Sequence, residues 1–360
     1  MSSEPRVIVV GAGLSGLAVA ARLAKAGRDV LVLEASSRAG GQIETFVEAE
    51  LVVELGAEGF VARSRAVPEL CRSLGIESAL VDQLTTDTYS LEQGSLVVLP
   101  AGEAARRLGF QVPEEELGRG IRSLARGMGQ LIDTLLATLV TSRLRTDARA
   151  SLIRTRSGRL EVELVDGDRE QAETLVLATP ARVGAGLLEP LGLPETAPLA
   201  AAGVTSNVSV NLLYRRQQIT SYPAGSGLLF PGSFADRGLR AVSFVDRKFP
   251  GRAPSSHALL RVFFRPVGDA LQTWDDARFA SEANGAIAEV LGVSGAPERS
   301  WVSRWADSLP VFSAAYREHV ARADATLQAL NIHLTGSAFH GAGIDAAVAS
   351  AEAVAARLSA

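Results

Sequence analysis

Some stretches of this chain are apolar at every position, and others alternate apolar with polar. The two patterns predict different surroundings. A continuous apolar run suits a strand buried on both faces of a parallel sheet, whereas period-two alternation suits a strand with one wet face. RVIVV (6–10), the core of DVLVLE (29–34) and the start of LVLATPA (175–181) are of the first kind, with Pro180 terminating the last. TTDTYSLEQGSLVVLP (85–100) alternates about EQG and predicts a β-hairpin. SLIRTRSGRLEVELVDGDREQAETLVLATPA (151–181) predicts two or three alternating strands. NVSVNLLYRR (207–216), GLRAVSFVDRKF (238–249) and HALLRVFFRP (257–266) predict strands of a second sheet.

Helical spacing predicts a helix from about Ser15 to Ala26, closed by Gly27. A second runs from Val67 to a stop at Gly75, with a short strand after it. Ile121, Leu124, Met128, Leu131, Ile132, Leu135 and Leu136 predict one helix within 120–140. Residues 275–292 form an amphipathic pattern, and Ile344, Val348, Ala351, Val354 and Leu358 form another. Residues 101–118, polar and interrupted by Pro113, predict a short helix and a connection. No solenoid repeat or low-complexity linker is present.

Composition narrows the class. At 360 residues, 47% hydrophobic and a mean hydropathy of +0.17, the chain suits a compact globule of one or two domains. A formal charge of −4 and a pI near 5.7 argue against a nucleic-acid surface. No apolar run is long enough for a membrane span, and the opening run does not read as a signal peptide, so the expected location is the cytoplasm. Cys71 is the single cysteine, and the four histidines show no ligand spacing, so no disulfide and no metal site is expected. Lys25 and Lys248 are the only lysines, which limits what lysine chemistry is possible.

The opening segment carries the clearest chemistry. GAGLSG places Gly11, Gly13 and Gly16 at G-x-G-x-x-G spacing between a buried strand and a helix beginning near Leu14 and Ser15. Gly11 permits the tight turn, Gly13 lets backbone approach a pyrophosphate, and Gly16 lets the helix pack on the strand. The second strand ends in Glu34–Ala35, where a carboxylate can accept from ribose hydroxyls and would repel a 2′-phosphate. Strand, turn, helix, strand and acid stand in order, which predicts a dinucleotide site.

Further stretches resemble the monoamine oxidase and protoporphyrinogen oxidase superfamily. Arg38 with Gly40–Gly41 resembles its R-x-G-G-[RK] stretch, with Gln42 where a cation is common. VVELGAEGFV (52–61), containing Gly56 and Ala57, resembles its strand near the flavin ring, and LVLATPA its return strand. SFVDRKFPGRAPSSHALLRVFF (243–264), VSRWADSLPVFSAAYREHV (302–320) and GSAFHGAGID (336–345) resemble protoporphyrinogen oxidase stretches. The resemblance implies an α/β fold: a glutathione-reductase-like FAD-binding domain on a doubly wound parallel sheet, with a discontinuous α+β substrate domain on a mixed or antiparallel sheet. It implies FAD-domain segments 1–75, 119–185 and 326–360, and substrate-domain segments 76–118 and 186–325.

The same resemblance implies non-covalent FAD, with Trp305, Gly336, Gly343 and Ile344 near the flavin. The last helix would begin at Gly343–Ile344–Asp345, its positive N-terminal end facing the negative charge of a reduced flavin. Two helix N-termini would then serve two parts of one long cofactor. The implied reaction is oxidation of protoporphyrinogen IX or coproporphyrinogen III, with O₂ reoxidising the flavin. Implied partners are the tetrapyrrole, O₂ and another haem-pathway enzyme, in a monomer or homodimer with at most weak peripheral membrane contact.

Two departures stand out. The family inserts a long membrane-binding subdomain after the hairpin; here about twenty residues fill that interval. Thr88 stands where many members hold a propionate with arginine, and Arg63 is the candidate substitute. Phe339 and His340 are candidate pocket residues, and no catalytic residue is assigned. An amine oxidase would place a lysine at Ser209, where none occurs. Amine oxidation, a carotenoid desaturase relative and a non-catalytic tetrapyrrole carrier remain as alternatives.

Overall fold

The computed structural model describes residues 7–109, 118–139 and 144–359. Arg6, Val140 and the connection containing Pro113, all included in the predicted elements, lie outside the described residues.

The continuously apolar runs form the centre of a five-stranded parallel sheet. Its order is Leu144–Arg145, Val30–Leu33, Val7–Val10, Thr174–Leu177 and Ile332–Leu334. Successive residues of these strands enter different cores. Val7, Val9, Val30, Val32 and Val176 face the helices Leu14–Lys25, Ala66–Ser73, Gly129–Ala137 and Ile344–Ser359. Ile8, Val10, Leu31, Leu33, Leu175 and Leu177 face a three-stranded antiparallel meander (Ala150–Arg156, Arg159–Leu164, Arg169–Ala172) and the helices Ala181–Leu188 and Ala314–Gln328. Burial of both faces explains why these strands do not alternate.

Register sets the site. Val10 pairs with Leu33 on one side and Leu177 on the other, and Leu177 pairs with Leu334. The strand ends therefore form one row, and the segments after them leave from the same carboxyl edge. The chain crosses from Val7–Val10 to neighbours on opposite sides, which makes this edge a topological switch point.

A seven-stranded, mostly antiparallel sheet forms the second half, in the order 299–311, 203–215, 257–264, 239–244, 227–229, 88–92, 95–98. The predicted hairpin is present as its last two strands, joined to 227–229 in parallel. Alternate residues Val208, Val210, Leu212, Leu260, Val262 and Phe264 pack on Phe279, Ala283 and Ile287 of the helix Asp276–Leu291. That helix is capped at its N-terminus by the Asp275 side chain, which accepts from Arg278 N at 2.8 Å.

Two predicted elements are corrected. Residues 120–140 do not form one helix: Ile121–Leu124 is a strand paired with Phe60–Val61 and Leu80–Asp82, and the helix begins at Gly129. Gly127 breaks the run at φ 83°, in a turn closed by Gly127 N to Leu124 O. Residues 238–249 are a strand only to Phe244; Val245–Lys248 is a helical turn. The turn brings the Asp246 carboxylate inward, where it accepts from Tyr222 Oη, Arg216 Nη2 and Leu259 N. In the segment 101–118, the short helix is Glu103–Arg107.

Candidate active site

The three fingerprint glycines have three different surroundings. Gly11 adopts φ 103°, and a Cβ there would lie 2.6 Å from the Ala178 carbonyl oxygen. A Cβ on Gly16 would lie 2.0 Å from the Gly11 carbonyl oxygen, so the helix can sit on the turn only with glycine. Gly13 has ordinary backbone angles (φ −70°, ψ 177°), and its Cβ would meet only the Gly41 Cα at 3.9 Å. The protein itself thus makes no demand for glycine at Gly13. An open cradle lies at this helix N-terminus, which no side chain caps and which holds no acid in its first turn. That is what a diphosphate needs. The buried Thr179 Oγ1, just beyond the adjacent strand, also has no hydrogen-bond partner among the described residues.

Around this cradle the predicted loop residues converge. Gly13 and Gly40 form a parallel bridge, and Gly40 N donates to Ala12 O at 2.8 Å. Glu34 Oε2 accepts from Ala12 N at 2.7 Å, and Oε1 accepts from the backbone and hydroxyl of Ser36 at 2.9 and 2.7 Å. A carboxylate offers about four acceptor sites, so Oε2 retains capacity for a ribose hydroxyl. Ala35 is exposed beside it. Arg38 braces its own loop, donating to Gly41 O at 2.7 Å and pairing with Glu44 at 3.0 Å. Gln42 Nε2 reaches across to Ser308 O at 2.7 Å.

The first and last helices lie side by side with both N-termini at the carboxyl edge. Ser15 Oγ donates to Ala347 O at 3.1 Å, Arg22 pairs with Glu352 at 2.6 Å, and a Gly336 Cβ would sit 3.2 Å from Ser15 Oγ. Gly343 is exposed at φ 97°, while the Ile344 side chain packs into the core. Asp345 accepts from Ser64 Oγ, so an acid already meets the positive end of the last helix.

The segment Glu54–Glu58 is the joint between the halves. Asn211 Nδ2 donates to Glu54 O at 3.0 Å, Trp305 Nε1 to Leu55 O at 3.0 Å, Arg261 Nη2 to Gly56 O at 2.7 Å, and Ser123 Oγ to Glu58 O at 2.7 Å. On the other side, Gly56 N and Ala57 N donate to Glu44 O and Gln42 O at 3.1 and 2.9 Å. Trp305 is therefore half-buried against the Leu55–Gly56 bend.

Pattern reading overlooked the charges here. Arg252 and Arg261 are only 1% and 3% exposed, and they share the joint with Glu54, Glu58 and Lys248. Burial pushes the Glu54 carboxyl up, and bonds from Thr45 and Met128 with the charge of Arg252 only partly offset it. Burial also opposes ionisation of Glu58, but Lys248, Arg261 and Arg252 outweigh it and hold that carboxyl below its ordinary range. Ser209, where an amine oxidase would place lysine, accepts from Arg261 Nη2 at 2.9 Å. A lone arginine inside the apolar strand HALLRVFF was the available signal for Arg261.

The four substrate-pocket candidates are not brought together in this way. Phe339 packs in the core: it is 2% exposed and lies close to Gly184, because the loop folds back through Phe339 N to Gly336 O. The exposed His340 turns its Nε2 to donate to Leu334 O at 3.0 Å. Thr88 lies 3.2 Å from Ser226 Oγ within the sheet, and Arg63 is exposed. Among the described residues, no cluster suits a metal and no helix is long and apolar enough to cross a membrane.

Residues 90–359 match the family described as flavin containing amine oxidoreductase, and residues 9–74 match the NAD(P)-binding Rossmann-like domain. A coproporphyrinogen III oxidase of Bacillus subtilis is 22% identical over 449 positions, covering 95% of each chain. An alignment of 449 positions cannot be filled by 360 residues, so that relative carries internal stretches absent here. A coproporphyrinogen III oxidase of Propionibacterium freudenreichii is 32% identical over 64% of this chain and 43% of its own. In fold, a crystal structure from Exiguobacterium sp. 255-15, named as a candidate protoporphyrinogen oxidase, superposes at a TM-score of 0.84 with 23% identity over 100% and 99% of the two chains. With the family matched over most of its length and a Rossmann-like domain at its start, this chain belongs to the flavin containing amine oxidoreductases and is an FAD-dependent oxidoreductase.

Proposed function

We propose that this protein oxidises a porphyrinogen, protoporphyrinogen IX or coproporphyrinogen III, to the porphyrin in haem biosynthesis, with O₂ as final acceptor. The observation that carries the reading is the end-to-end alignment with a coproporphyrinogen III oxidase on a chain that builds an open diphosphate cradle at a switch point. In this reading Gly11, Gly13, Leu14, Ser15 and Gly16 hold the diphosphate, and Glu34–Ala35 the ribose. Arg38, Gly40, Gly41 and Gln42 follow the cofactor toward its ring, which Gly56, Ala57, Trp305, Gly336, Gly343 and Ile344 surround. The bound flavin supplies the two-electron acceptor. The chain supplies orientation and electrostatics. Ser209 in place of lysine supports a porphyrinogen over an amine. The division into FAD segments 1–75, 119–185 and 326–360 and substrate segments 76–118 and 186–325 belongs to the same proposal.

The test is porphyrin fluorescence against time. FAD-loaded protein is mixed in air with coproporphyrinogen III or protoporphyrinogen IX, and the protein-free rate is subtracted. A saturable, FAD-dependent rate is expected. A yellow, folded protein with no rate above blank on either compound would overturn the activity and favour a tetrapyrrole carrier, which the missing internal stretches make the second reading.

A further inference from the structure

The charges at the joint do not balance. Lys248, Arg252 and Arg261 face Glu54 and Glu58. Glu54 acts as an acceptor through both oxygens, from Met128 N at 2.7 Å and Thr45 Oγ1 at 2.6 Å, as an ionised carboxylate does. Were it protonated, the positive excess would grow. Hydrogen bonds do not use up the excess. Among the described residues, Arg252 Nε and Nη1 and Arg261 Nε are buried with no hydrogen-bond partner, and Glu58 Oε2, also without one, stands 3.9 Å from Arg261 Nη1. A buried cation without a counter-charge is costly, and its field is weakly screened. Its outlet is the Leu55–Gly56 segment, where Arg261 Nη2 sits on the Gly56 carbonyl.

We propose that Arg261 and Lys248, bridged by Glu58, hold a net positive charge behind Gly56–Ala57 that favours reduced, negatively charged flavin over oxidised, neutral flavin. The inference rests on the placement of the flavin ring proposed above. Two-electron reduction adds two electrons and one proton to the ring, leaving one negative charge on it. That charge pairs with the excess at the joint. Arg261, Lys248 and Glu58 act here as positioning residues for charge and need touch neither ring nor substrate.

The experiment uses FAD-loaded protein and two readouts other than turnover: the midpoint potential, measured against a reference dye, and the affinity for sulfite, whose adduct leaves the ring negative. Arg261→Met should disfavour the reduced form about tenfold, which lowers a two-electron potential by about 30 mV, and should weaken sulfite binding to match. Glu58→Gln removes a carboxylate and should shift both readouts by a similar factor in the opposite direction. Lys248→Met, at a side chain 14% exposed, should follow Arg261→Met and serves if Arg261→Met does not fold. Unmoved readouts, or shifts of the same sign in Glu58→Gln and the cation variants, with FAD still stoichiometric, would overturn this inference alone. Parent protein with no flavin absorbance after reconstitution would overturn the flavin placement and this inference together.

Discussion

Gly16 and Gly11 are in backbone contact: a Cβ on Gly16 would fall 2.0 Å from the Gly11 carbonyl oxygen. No rotamer relieves such a clash, so Gly16→Ala must move the helix off the strand. Its cost should reach the upper end of the ~1–3 kcal/mol usual for overpacking. Gly13→Ala has room, with its Cβ 3.9 Å from Gly41, and should cost about 1 kcal/mol or less. It should nevertheless weaken FAD by about tenfold or more, because the methyl group occupies the diphosphate approach. Apo-protein melting and FAD titration of the two variants separate the effects; a Gly13→Ala protein with parental FAD affinity would refute the placement.

Trp305 Nε1 donates to Leu55 O at 3.0 Å across the joint. Trp305→Phe keeps most of the ring packing and removes the donor. A loss of about 1 kcal/mol is expected in urea unfolding, together with a changed visible spectrum of bound FAD. An unchanged spectrum would place the ring away from this strand.

Burial depresses the pKa of His333, Arg357 depresses it further, and Asp324 only partly opposes them. The native imidazole therefore stays neutral where the unfolded one, with an ordinary value near 6.5, takes up a proton. Its contribution to stability is complete above that value and is lost as pH falls below it toward the native pKa. Between pH 7.5 and 5.5 the parent should lose more stability than His333→Leu. Parallel melting-temperature profiles for the two proteins would contradict this.

Cys71 is fully buried, and burial pushes its thiol up to about 11. Native protein at pH 7.5 should show almost no reaction with a thiol reagent, and denatured protein should release one equivalent. Rapid native labelling would mean that the helix Ala66–Ser73 opens readily.

The parallel-sheet half was legible because its local and global demands coincide. Runs such as VIVV and VLVL are continuous because helices cover one face and a meander or helices the other. Gly16 answers to the Gly11 carbonyl within the same turn, and Gly11 to the Ala178 carbonyl at the end of the neighbouring strand. The segment 120–140 was misread because Ile121 and Leu124 fit helical spacing, while pairing with residues 60–61 and 80–82 claimed them for a strand. Nothing within the segment announces those partners.

The sequence by itself determined the strand–turn–helix cradle, the acid at Glu34, the terminal helix and the flavin family, all of which depend on order and spacing along the chain. Only the tertiary structure decided that Phe339 is core, that Asn211, Trp305, Arg261 and Ser123 pin the carbonyls of Glu54–Glu58, and that three cations share a buried joint with two carboxylates. The partners in that joint come from segments up to 250 residues apart. Burial and charge balance are properties of that assembly, and hydrophobic periodicity carries no record of which distant charge a lone arginine will meet.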